Sequence, residues 1–169
     1  MQVSFVRTRG ARDRIYVERD DGSTLSWVFP TYGDALPHDL VHLVVESMMG
    51  LKDGFWGRVA RGLDPAQVNA QLNREGGGNR HPGFGEDKRE LLYAEALAAA
   101  RWRAEDSATL IAQLGPAGNP CGLPPPSEPQ IQDIRAQLDS LEAQWRAFGE
   151  KGALRLQWPL RAARTGARQ

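Results

Sequence analysis

The first thirty positions alternate between apolar and polar residues with the period of strands. Residues 3–7, 14–19 and 24–29 each set side chains such as Phe5, Ile15, Val17, Trp27 and Phe29 among polar neighbours. Asp20-Asp21-Gly22-Ser23 lies between the second and third runs and carries the Asp-Gly signal of a hairpin turn. A three-stranded antiparallel meander is the expected result. From residue 37 the period changes to that of a helix. Leu40, Val41, Leu43, Val44, Val45, Met48 and Met49 predict a helix over 37–49, opened by Asp34 and Pro37 and stopped by Gly50. Few of its positions want water, so it should be buried on most sides.

The pattern beyond it is mainly helical. A short piece is expected at 56–61 and a helix at 65–74, with Asp64 as cap and Pro65 in the first turn. Ala- and Leu-rich sequence predicts helix over 86–105, continued after a break at 107–114. Residues 115–126 hold five prolines and three glycines and form a loop. Ser127 caps a last helix, 127–149, whose Ile131, Ile134, Leu138, Leu141, Trp145 and Phe148 recur every three or four residues as a continuous seam. Residues 153–160 read as a final strand, with Leu154, Leu156 and Trp158 on one face.

These elements predict an α+β fold in a single domain over 1–160. The meander and the C-terminal strand share a small antiparallel sheet, with helices on one side. Among those helices, 86–149 folds as a long antiparallel hairpin. Residues 161–169 carry Arg161, Arg164 and Arg168 without an acid and are expected to be a basic, flexible tail.

Composition narrows the function classes. Lys plus Arg and Asp plus Glu each number 21 in 169 residues, so no net field draws the chain to nucleic acid or an anionic membrane. No apolar run approaches the length of a membrane span, and Arg7 and Arg9 are followed by no apolar signal region, so a cytoplasmic protein is expected. The lone cysteine, Cys121, excludes an intrachain disulfide and reads as a loop thiol. Gly76-Gly77-Gly78 lacks the Lys-Ser/Thr of a phosphate loop and reads as linker or lid.

The candidate chemistry sits on helix 37–49. Of three histidines in the chain, His38 and His42 are four residues apart, and Glu46 follows four later. At about 100° per residue the three share one stripe, with Asp39 at its edge. Two imidazoles so spaced can reach one divalent ion, zinc being the expected choice for nitrogen and oxygen donors. Glu46 is one candidate third ligand. The three side chains would spread along the helix, however, so His81, Glu86 or Glu90 from elsewhere would serve more comfortably. Asp39 then stands as the base for a metal-bound water, with Glu46 as the other candidate catalytic carboxylate.

The segment resembles the His-Glu-x-x-His helix of zinc metallopeptidases. His38 and His42 fall on the two ligand positions and Asp39, one methylene shorter than the family's glutamate, on the general-base position. That resemblance implies a further acidic ligand from a separate helix. More broadly, residues 36–46 followed by Gly54-Phe55-Trp56-Gly57 resemble a group of small bacterial proteins that share a Pro-His-Asp-Leu-x-His-x-x-Val-Glu segment. That likeness implies no activity.

Two functions follow. One is a metal-binding, hydrolase-like protein built on helix 37–49. The other is a non-enzymatic interaction module acting through the hairpin 86–149, in which His38, Asp39, His42 and Glu46 are merely the solvent-facing strip of an amphipathic helix. If the seam at 131–148 finds no partner helix within the chain, it would make a homodimer.

Overall fold

A computed structural model describes residues 1–8, 13–29, 34–66, 88–116, 119–148 and 151–160. Four strands, β1 (Gln2–Thr8), β2 (Arg14–Glu18), β3 (Thr24–Val28) and β4 (Lys151–Gln157), form one sheet in the order β3-β2-β1-β4, antiparallel throughout. The hairpin from β2 to β3 closes where expected. Arg19 N–H donates to the Ser23 carbonyl at 2.9 Å, and Gly22 takes a φ of 82°, open to glycine without a Cβ penalty. Register sets Trp27 against Ile15, Ile15 against Phe5 and Phe5 against Leu154, and all four are buried. The opposite face carries Ser4, Tyr16, Ser26 and Arg155, which are partly or fully exposed. The sheet therefore has one dry face, and the helices cover it.

Five helices are described: α1 (His38–Met49), α2 (Phe55–Ala60), α3 (Arg89–Ala99), α4 (Ser107–Gln113) and α5 (Glu128–Ala147). Gly50 ends α1 in the left-handed conformation, φ 69°. Ser127 and Gln130 form a capping box at the start of α5. The seam residues Ile131, Ile134, Leu138, Leu141 and Trp145 are all buried in the chain's own core. No helix among the described residues is long and apolar enough to cross a membrane.

The long hairpin expected over 86–149 is not confirmed: the short α4 packs on α5, while α3 packs mainly on α1. Both α3 and α5 pack on α1, which also meets α2. The reason is the all-round greasiness of α1: a helix apolar on several sides needs several partners. The Ala-rich stretch also breaks after Ala99, against its propensity. Trp102 is buried there and its indole N–H donates to the Leu97 carbonyl at 2.8 Å. Arg135 of α5 donates to the carbonyls of Trp102 and Glu105, both at 2.6 Å. Tertiary packing thus outweighs a preference of a few tenths of a kcal/mol per residue. The final strand runs from 151 to 157 rather than from 153 to 160, and Gly152 lets it pass under Phe148, whose ring a Cβ would meet at 2.2 Å. The expected helix 65–74 beyond residue 66, the glycine run 76–78 and the tail 161–169 lie outside the described residues.

Candidate metal centre

His38 opens α1 and His42 stands one turn on. Their rings meet edge to face, with centroids 4.7 Å apart and planes at 86°. That geometry turns both Nε2 atoms to the same point, 3.1 Å from each other. Glu95 of α3 reaches in from the side, and its Oε2 lies 3.5 Å from each of the two nitrogens. Three donor atoms thus form a nearly regular triangle. Zinc held by nitrogen and oxygen at about 2.0–2.1 Å in tetrahedral geometry needs ligand atoms about 3.3 Å apart, close to these sides. A tetrahedron on this base leaves one apex free. His38 and Glu95 are 57% and 44% exposed, so the centre has a solvent side.

The other nitrogen of His42 has a different partner. Nδ1 lies 3.1 Å from Oε1 of Glu46, the next residue down the stripe. Glu46 is wholly buried. It also accepts the backbone N–H of Phe55 at 3.1 Å and of Trp56 at 2.9 Å. A carboxylate in that place holds a proton on Nδ1, so that Nε2 is the nitrogen a metal would take on displacing its proton. Gly54 makes the approach possible, because a Cβ there would stand 2.6 Å from Glu46 Oε2.

Asp39 points to the sheet. Its Oδ2 accepts the indole N–H of Trp27 at 3.1 Å, while its own carbonyl accepts that of Trp56 at 2.8 Å. Phe55 completes the surround, with ring centroids 6.0 Å from His42 and 6.1 Å from Trp27. The aromatic pair Phe55-Trp56 therefore joins the core to the centre, and Trp56 itself is fully buried.

The electrostatics follow the contacts. Burial opposes a charge on His42, but hydrogen bonds to Glu46 and Glu95 and their negative charges outweigh it and push its pKa up to about 9. The same hydrogen bonds, from His38 first and His42 second, hold Glu95 far below the usual carboxylate range. Burial raises Asp39, with the Trp27 hydrogen bond and the two imidazoles pulling the other way. Burial also raises Glu46, against the pull of His42 and the two amides.

Of the residues singled out in the sequence, His38 and His42 converge on one point. Glu46 stands behind His42, on the far nitrogen, and the third corner of the triangle is Glu95. His42 and Glu46 are 2% and 0% exposed, so the polar stripe is buried along these two residues and meets solvent at His38. Glu90 sits on α3 but binds the backbone N–H groups of Lys52 and Asp53, at 2.8 and 2.6 Å. His81 and Glu86 lie outside the described residues. Glu95 escaped the sequence reading, although one signal was there. It falls four residues after Leu91 and three before Ala98, so an acid borders a face that is otherwise leucine and alanine. The chain matches no family model, no curated protein and no solved structure.

Proposed function

We propose that this chain is a metal-dependent, hydrolase-like protein. His38, His42 and Glu95 hold one zinc ion, and Glu46 orients His42 from behind. The single observation that carries the reading is the triangle of Nε2, Nε2 and Oε2 atoms with sides of 3.1, 3.5 and 3.5 Å. Three protein ligands and a free apex are the arrangement of a catalytic rather than a structural zinc site. An ion held by these three residues would supply Lewis-acid activation of a water, whose pKa such ions bring down to about 7. Two imidazoles and one carboxylate, drawn from two helices, also fit what the likeness of residues 38–42 to the metallopeptidase helix implies. Asp39, the base expected from the sequence, is turned to the Trp27 indole, so in this reading the ion rather than Asp39 would activate the water.

The test is metal content followed by activity. Protein purified without a histidine tag should carry about one zinc per chain by elemental analysis. The double variant His38→Ala/His42→Ala, and Glu95→Ala alone, should carry almost none. Zinc-loaded protein should then hydrolyse at least one of a panel of activated ester, peptide and phosphoester substrates, and Glu95→Ala should be slower by 100-fold or more. Wild-type protein that takes up no zinc at micromolar concentrations sinks the reading.

A further inference from the structure

We propose that the turn at residues 52–56 is a clamp that sets the spacing of the two ligand-bearing helices, with Glu46 and Glu90 as its positioning residues. The inference rests on the metal reading above. Its basis is a shared anchor. The turn offers four backbone N–H groups in five residues, and two glutamates divide them. Glu90 of α3 takes Lys52 and Asp53. Glu46 of α1 takes Phe55 and Trp56. One short segment is thereby bonded to both helices that supply ligands.

Each glutamate lies close along its helix to a ligand. Glu46 is one turn past His42 and touches its ring directly. Glu90 is five residues before Glu95 on α3. A shift of the turn is therefore transmitted to the His42 ring through one carboxylate and to the position of Glu95 through the other. The turn is itself stiff. Arg58 donates to the Asp53 carbonyl at 2.8 Å and to its carboxylate at 2.7 Å, and Arg61 pairs with the other oxygen of that carboxylate. Gly54 and Gly57 allow the tight path. A Cβ at Gly54 would strike Glu46, and one at Gly57 would lie 2.0 Å from the Lys52 carbonyl oxygen. The segment 52–56 is thus the part of the chain that joins the two carboxylates. A metal site gains most when its ligands are held to within about half an ångström before the ion arrives, which is what this anchor supplies.

The experiment uses the full chain, stripped of metal and titrated with zinc against a chromophoric chelator. Cobalt(II) serves as the spectroscopic probe, because its visible absorption reports tetrahedral geometry. Glu46→Gln should weaken zinc binding by about 10–100-fold. Glu90→Ala should weaken it by roughly tenfold and reduce the tetrahedral cobalt bands, and Glu90→Gln, which keeps an acceptor oxygen, should restore most of both. Ser127→Ala, which removes a helix cap far from the turn in sequence, controls for lost stability. If Glu46→Gln fails to fold, the partly exposed Glu90 carries the test. Loss of affinity in Glu90→Ala no larger than in Ser127→Ala, with an unchanged cobalt spectrum, overturns the clamp while leaving the metal site standing. Wild-type protein that binds neither ion overturns the metal reading, and the clamp with it.

Discussion

At the scale of single residues, the centre depends on one buried contact, between His42 and Glu46. The pair predicts how the metal-free protein responds to pH. The folded pKa of His42 is raised from 6.5 to about 9, so its contribution is complete below about pH 6.5 and is lost as pH rises through about 9. Two and a half units set a ceiling of about 3 kcal/mol, shared with Glu46 because the two titrate together. Urea unfolding of apo protein at pH 6 and pH 9.5 should show that decline, and His42→Ala should flatten it. An equal slope in the variant would remove His42 as the cause. Gly54 gives a second prediction at this scale. Gly54→Ala forces a methyl group onto Glu46 Oε2, and overpacking of this kind costs about 1–3 kcal/mol. Denaturant midpoints would measure it, and a neutral Gly54→Ala would mean that Glu46 can move aside freely.

At the scale of elements, what could be read from the sequence was whatever local periodicity controls. Alternation at Val3, Phe5, Ile15, Val17 and Trp27, plus one Asp-Gly turn, is enough to specify the meander and its dry face. The apolar faces of α1 were visible in the same way. The partners of those faces were not, because nothing local says which helix a buried helix will meet. That is why the helices 86–114 and 127–149 read as one long hairpin, whereas α3 and α5 each pack on α1. Glu95 was hidden for the same reason. It becomes a ligand candidate only when α3 docks on α1, some fifty residues away in sequence. His38 and His42, four apart on one helix, needed no such docking to be seen. The break between α3 and α4 makes this dependence measurable. Trp102 holds the break by filling the core and bonding the Leu97 carbonyl, so Trp102→Ala should cost about 3–5 kcal/mol. A loss below about 1 kcal/mol would mean that the Ala-rich stretch chooses its own end.

At the scale of the whole molecule, the three donors join parts of the chain that the backbone leaves far apart. His38 and His42 follow the N-terminal meander, and Glu95 stands on α3 beyond residues 67–87. An ion shared among them is a cross-link between α1 and α3, present only in the folded state. It therefore stabilises by mass action, by about 2.7 kcal/mol when free zinc is 100 times the dissociation constant. A chain of this size gains about 2–4 °C per kcal/mol, so the midpoint of thermal unfolding should rise by about 5–10 °C with zinc and fall back with chelator. Magnesium should do little, since nitrogen donors suit it poorly. Glu95→Ala is the informative control. It removes the one ligand contributed by α3 while leaving both histidines on α1. Were the ion held by the histidine pair alone, this variant would keep most of the thermal shift. Were it a true bridge, the shift would nearly vanish, although the unliganded variant melts close to wild type because Glu95 is half exposed. A zinc-dependent rise that survives in Glu95→Ala would dismantle the three-ligand centre, whatever the metal content proved to be.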